Sequence, residues 1–159
     1  MTEQDLRIEL VSAHALHELR RRVLRNNNPE SLVADDRDTE VSSLHFGGFN
    51  DGQVVVSASF YPSTTPLSPE LVTYQLRYMA ADFDVQGRGF GKRVLAFAEV
   101  ELRQRGIEQV WANARDSALG FYQAIGWSTV AGSEHLSAET QLPHTVIFKR
   151  ILDNAESAQ

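Results

Sequence analysis

The chain has 159 residues and a mass of 17.8 kDa, with 21 acidic against 15 basic side chains, a formal net charge of -6 and 42% hydrophobic residues. That size fits one ordinary domain with its own core, expected over residues 1–152 before a polar tail at 153–159, and leaves no room for a second catalytic domain. The acidic balance argues against a general nucleic-acid partner, and zero cysteines exclude structural disulfides, thiolate catalysis and cysteine-ligated zinc.

No apolar run reaches the ~18 residues of a membrane span, and MTEQDLRIEL lacks the positive-then-apolar order of a signal peptide. A cytoplasmic chain with no membrane partner is expected. Arg7 to Val11 reads as a first strand, and Ser12 as the cap of a helix over HALHELRRRVLR. There Leu16, Leu19, Val23 and Leu24 recur at helical spacing, with the arginines mainly on the other side. NNNPESLVADDRDTE reads as a polar loop. VSSLHFGGF and QVVVSASFY then form an antiparallel hairpin about Asn50, Asp51 and Gly52. Val54, Val56, Ala58 and Phe60 share one face of its second strand, and one side is expected to meet the core. PSTTPLSPE breaks the pattern as a loop.

LVTYQLRYMA alternates as a strand, with Val72, Tyr74, Leu76, Tyr78 and Ala80 on one face. Phe90 to Arg105 reads as a helix with Val94, Leu95, Ala98 and Leu102 on its inner stripe, stopped by Gly106. IEQVWAN is the next strand, SALGFYQAI a helix ending at Gly126, WSTVAG a strand, and HTVIFKRIL the last strand.

Between strand and long helix lies QGRGFGKR, with Gly87, Gly89 and Gly91 on alternate positions. Absent β-carbons allow a tight turn and close ligand approach, and unpaired amides at a helix start favour phosphate oxygens. Arg88, Lys92 and Arg93 add local positive charge. A turn and helix cap with solvated basic residues is the alternative reading. No hydroxyl follows Lys92 as in GxxxxGKS/T, and the last glycine of the dinucleotide fingerprint is missing, so neither an ATPase nor a dehydrogenase is favoured.

MAADFDVQGRGFGKRVLAFAE resembles the acyl-CoA-binding motif of the GNAT acetyltransferase superfamily, with Gln86, Gly89 and Gly91 in the pyrophosphate-loop positions. NARDSALGFYQAIGW resembles the second family motif, with Asn113 at a strand end and Tyr122 on the following helix. The two cover Met79 to Trp127, whereas Ser12 to Glu40, on the substrate side, matches nothing comparable. The resemblance implies an α/β (α+β) fold with a mixed, largely antiparallel central sheet flanked by helices. It further implies that acetyl-CoA is the cosubstrate. Backbone groups of Gln86, Gly87, Arg88, Gly89, Phe90, Gly91 and Lys92 would hold the pyrophosphate, and those around Met79 and Ala81 would pair with the pantetheine arm. Asn113 would add a polar contact, and no metal is required.

The implied chemistry is direct acyl transfer to an amine, which must lose a proton before it attacks the thioester. A backbone amide near Ala81 would meet the developing oxyanion, and Tyr122 would protonate the departing thiolate. Ala118, Phe121, Tyr122 and Ile125 also form a core stripe. His45 is the candidate base, with a buried structural histidine or a water chain as alternatives. Tyr74, Arg77 and His144 are the acceptor-side candidates, Arg77 reading equally as part of a polar sheet face. Trp111 and Trp127 read as core or rim aromatics. A small-molecule or protein amine is the expected acceptor, and an apolar edge strand would favour a homodimer. Two other functional classes stand beside the enzyme: a non-catalytic acyl-CoA sensor, and an interaction protein whose glycine turn is purely structural.

Overall fold

The computed structural model describes residues 5–63 and 68–153; the middle of the proline-bearing loop and almost all of the polar tail lie outside the described residues. The chain forms two compact units, Met1–Pro62 with Leu76–Glu101, and Ser63–Gln75 with Leu102–Gln159.

The first unit opens with strand β1 (Arg7–Leu10), then a 3-10 turn (Ala13–Leu16), one turn of helix α1 (His17–Leu19) and a π-helical turn (Arg20–Leu24). β2 (Leu44–Asn50) pairs antiparallel with β1 from Arg7↔Phe49 to Leu10↔Phe46. It also pairs with β3 (Gln53–Pro62), where Asn50↔Gln53 leaves Asp51 and Gly52 as a two-residue turn. Their φ angles of 51° and 79° are those of the primed turns that match strand twist. β4 (Thr73–Ala81) contributes its residues from Leu76 onward to this unit, followed by a 3-10 turn (Phe83–Val85) and most of α2 (Phe90–Gln104). Val94, Leu95 and Ala98 are buried as the periodicity predicts, and Phe46 meets Phe60 and Phe97 edge-on.

In the second unit the start of β4 pairs in parallel with β5 (Gln109–Arg115), from Thr73↔Gln109 to Gln75↔Trp111. β8 (Pro143–Arg150) runs antiparallel to β5 along its length and also carries β6 (Ser128–Thr129) and β7 (His135–Leu136). α3 (Leu119–Ala124) ends with the Trp127 amide on the Tyr122 carbonyl at 3.0 Å and the Gly126 amide on that of Gln123 at 3.2 Å. This is a Schellman closure, and Ile107, Leu102, Gly106 and Arg103 repeat it at the end of α2. Strand order is β1-β2-β3-β4 in the first unit and β4-β5-β8-β6 in the second. The fold is the expected mixed, mostly antiparallel sheet flanked by helices.

Several local expectations are corrected. The predicted helix over HALHELRRRVLR is a composite of 3-10, α and π turns, and the Ser12 side chain caps nothing. Its arginines do not all face outward: Arg20 is fully buried, because Asp38, eighteen residues on, supplies a countercharge inside. Both faces of β3 are covered, since Val56, Ala58 and Phe60 and also Val55, Ser57 and Ser59 are buried. β4 loses its alternation: Tyr78 has φ of +57°, and Thr73, Leu76 and Ala80 are the buried positions. Phe121 is exposed beside buried Tyr122, WSTVAG shrinks to a two-residue strand, and β7 had no sequence signal.

Candidate active site

The donor-side candidates lie in the first unit. A positive φ is uncommon for a bulky residue inside a strand, and at Tyr78 it is fixed from two sides. Ser57 Oγ donates to the Tyr78 carbonyl at 3.0 Å, and the Arg20 guanidinium lies over the ring with its carbon 4.0 Å from the centroid. Met79, Ala80 and Ala81 follow, with Ala80 buried and its neighbours half-buried. The Asp82 amide then donates to the Val55 carbonyl at 2.7 Å.

After the 3-10 turn, Gly87 and Gly89 have φ of +85° and +79°. A β-carbon at either would meet nothing within 4 Å, so backbone angle rather than crowding requires glycine, and the space beside the turn is open. The Gly89 carbonyl accepts the Arg93 amide at 3.1 Å, which starts α2, and buried Phe90 anchors that first turn. The first amides of a helix have no intrahelical acceptor, so a polyphosphate placed there meets donors and the positive end of the helix dipole. Gln86, Arg88 and Lys92 lie at this end, all three exposed, and Gly91 is half-buried. The residues present therefore fit a coenzyme A pyrophosphate. Two groups already have internal partners: the Arg88 amide donates to the Val85 carbonyl at 3.3 Å, and Gln86 Nε2 to that of Ala81 at 3.0 Å.

A buried polar cluster fills the same unit, and sequence reasoning found only one of its members. Arg20 Nη1 donates to the Val33 carbonyl at 2.8 Å and to Asp38 Oδ2 at 2.9 Å, while Nη2 donates to Ser59 Oγ at 2.8 Å. Tyr61 donates its hydroxyl hydrogen to Asp38. Burial alone would raise the Asp38 carboxyl pKa, but the Arg20 and Tyr61 hydrogen bonds outweigh it and hold the group well below the usual carboxylate range. Burial and the Asp38 bond push the Tyr61 hydroxyl up.

His45, the candidate base, is buried here with Nδ1 2.8 Å from Ser59 Oγ and Nε2 3.0 Å from the Asp38 carbonyl. Since a carbonyl only accepts, Nε2 carries the hydrogen and Nδ1 accepts from Ser59. Burial lowers the His45 pKa, so the ring is neutral with both nitrogens engaged. Arg77 donates to Asp35 at 2.9 Å. Asp35, bound chiefly by Arg37, titrates at about 2. The available signal for Arg20 was its place at i+4 from Leu16, on the apolar stripe itself.

The second unit holds the other candidates. Asn113 is exposed on β5 opposite Val146. Tyr122 is buried, edge-on to Phe121 and Trp127 at 5.1 and 5.3 Å, and burial raises its hydroxyl pKa, so it stays protonated. Tyr74 is half-buried opposite Val110, and buried His144 holds the Leu142 carbonyl through Nδ1 at 2.8 Å. Trp111 is half-buried with Nε1 on the Ser63 carbonyl, and Trp127 is core. Among the described residues no group of histidine, aspartate and glutamate could hold a metal ion, and no helix is long and apolar enough to cross a membrane.

Comparison with known proteins agrees with this geometry. The sequence model of the acetyltransferase (GNAT) family matches residues 13–127. An uncharacterised N-acetyltransferase of Bacillus subtilis, YitI, is 33% identical over 122 residues, spanning 77% of this chain and 82% of that protein. Among solved structures, Escherichia coli ElaA superposes with a TM-score of 0.73 at 17% identity, covering 91% of this chain and 99% of that one. An acyl-CoA N-acyltransferase from Pseudomonas aeruginosa gives 0.71, also at 17% identity and with the same coverage. The chain belongs to the GNAT acetyltransferase family. Family membership carries acetyltransferase activity in general, with a coenzyme A thioester as donor.

Proposed function

We infer that the protein is an N-acetyltransferase that moves the acetyl group of acetyl-CoA to an amine, on a small molecule or a protein, by direct attack on the thioester. The observation that carries this reading is the Gly87–Gly89 turn opening onto the start of α2 directly after the Tyr78 kink, in a chain of this family. The donor supplies an activated acyl carbon with a thiolate leaving group.

The chain's own part is to bind and orient. First-turn amides and the glycine turn take the pyrophosphate, with Arg88 and Lys92 adding charge, and Asn113 adds a polar contact. Backbone groups around Met79 and Ala81 align the arm, and an amide near Ala81 faces the developing negative charge. Tyr122, whose hydroxyl burial pushes above its ordinary value, is assigned the proton that the thiolate takes up. Tyr74, Arg77 and His144 are assigned to the acceptor side. His45 would have to release Ser59 before taking an amine proton, so we assign it to holding Asp38 and take the amine to react as its free base.

Calorimetry with acetyl-CoA and coenzyme A, followed by thiol release across an amine library, tests the whole reading. Binding without turnover across a competent library would leave a donor-binding module, and absence of binding would leave a structural turn. Tyr122→Phe is expected to cut turnover about 100-fold while donor affinity stays within about threefold. Full turnover in that variant under chemistry-limited conditions would remove the acid role.

A further inference from the structure

The π-helical turn Arg20–Leu24 sends two arginines to the two ends of one short stretch of β4. Arg20 lies over Tyr78, the residue before Met79, and Arg22 Nη2 pairs with Asp82, the residue after Ala81, at 2.5 Å. Met79, Ala80 and Ala81 are thus bracketed from a single element. π turns are rare and concentrate at functional places because they redirect side chains that an α-helix would separate differently. The redirected pair sits in two settings: Arg22 and Asp82 are both partly exposed, whereas Arg20 is fully buried with Asp38 as its countercharge.

Tyr78 gives the bracket its purpose. An aromatic residue at φ of +57° carries a backbone cost that glycine would not, and its conformation persists only while its surroundings impose it. The Ser57 hydroxyl holds its carbonyl, and the Arg20 and Arg77 guanidiniums lie 4.0 and 4.6 Å from its ring centroid. Arg20 is itself immobilised by the Val33 carbonyl, Asp38 and Ser59, so its position over the ring is set from behind. On the far side, Asp82 is fixed by its amide on Val55 and its carboxylate on Arg22.

We propose that Arg20 and Arg22 are positioning residues for acyl transfer, a two-point brace that fixes the direction of the Met79–Ala81 backbone toward the donor arm. Arg20 acts through the Tyr78 ring and Arg22 through the Asp82 carboxylate. Because Arg20 also holds Val33 and Asp38, the brace ties the conformation of the 33–38 loop to that of the donor strand. This rests on the reading of Met79–Ala81 as the donor-binding stretch.

The test measures coenzyme A affinity by calorimetry and amide hydrogen exchange of residues 79–82 in the ligand-free protein. Arg22→Gln leaves a folded chain, weakens coenzyme A binding about fivefold and speeds exchange at 79–82 by a similar factor, while Arg22→Lys restores most of both. Arg20→Lys keeps the charge but loses the planar fork over the ring, and it has the same two effects. Adding Tyr78→Gly to Arg20→Lys relieves the loss, because glycine holds a positive φ without help. Either single variant leaving affinity and local exchange within about twofold of the parent overturns the brace. So does exchange accelerating equally over the whole unit, or a double variant no better than Arg20→Lys alone. If the unsubstituted protein binds no coenzyme A, the functional reading fails at that point, and the exchange data still decide whether the brace exists.

Discussion

His45 shows how far one residue's chemistry follows from its neighbours. Ser59 sits between the Arg20 guanidinium and the imidazole, so it accepts from the first and donates to the second, and the chain of donors runs one way to the Asp38 carbonyl. A glutamine side chain can accept from Ser59 and donate to that carbonyl without titrating. His45→Gln is therefore expected to keep the fold and turn over within about threefold of the parent; a folded but inactive variant would return the base role to His45. Arg20 carries a different weight. Removing one partner of a buried ion pair strands the other, so Arg20→Met is expected to cost about 3 kcal/mol and lower Tm by about 10 °C in a thermal melt. The helical spacing sent the arginines mainly to the side away from the apolar stripe, and spacing within one helix cannot name a partner eighteen residues away, so neither the burial of Arg20 nor its countercharge was legible.

Among the elements, those with strong local codes were readable. The hairpin follows from two β-rich runs about Asp51 and Gly52, and α2 from its four-residue inner stripe and Gly106. Elements fixed by distant contacts were not. The arginines of the π turn meet Asp38 and Asp82, Tyr78 at its kink meets Ser57 and Arg20, and β7 pairs with β8. The glycine turn and Tyr122 stood out as candidates through their motifs, whereas the 33–38 loop carried no periodicity to read. Two glycines separate conformational need from mere tolerance. Gly106 ends α2 at φ of +81°, whereas Gly120 lies inside α3, where an added β-carbon would meet nothing within 4 Å. Gly106→Ala is expected to lose about 1 kcal/mol in chemical denaturation, and Gly120→Ala to gain about 0.5 kcal/mol.

At the scale of the molecule, three shifted groups give acid sensitivity one sign. Asp38 and Asp35 titrate below their unfolded values, so the unfolded chain takes up protons first. Their contribution is present above about pH 4 and is lost as pH falls toward 2. His45 is also depressed, so the unfolded state binds its proton first and stability declines as pH drops through about 6.5. The -6 net charge acts oppositely, since acidification toward the pI of 5.3 relieves self-repulsion. Melting temperatures of the parent and His45→Gln between about pH 8 and 4 separate the two effects. Their difference is expected to change below about pH 6.5, the parent losing more; parallel curves would show that the histidine makes no contribution.

The Gln86 side chain donates to the Ala81 carbonyl at 3.0 Å. Any donor amide that seeks this acceptor meets an intramolecular competitor, so its entry is a substitution and not an addition. One hydrogen bond would be exchanged for another, so the net gain at that carbonyl would be small. The first residue of the glycine turn thus keeps the strand end satisfied by its own chain.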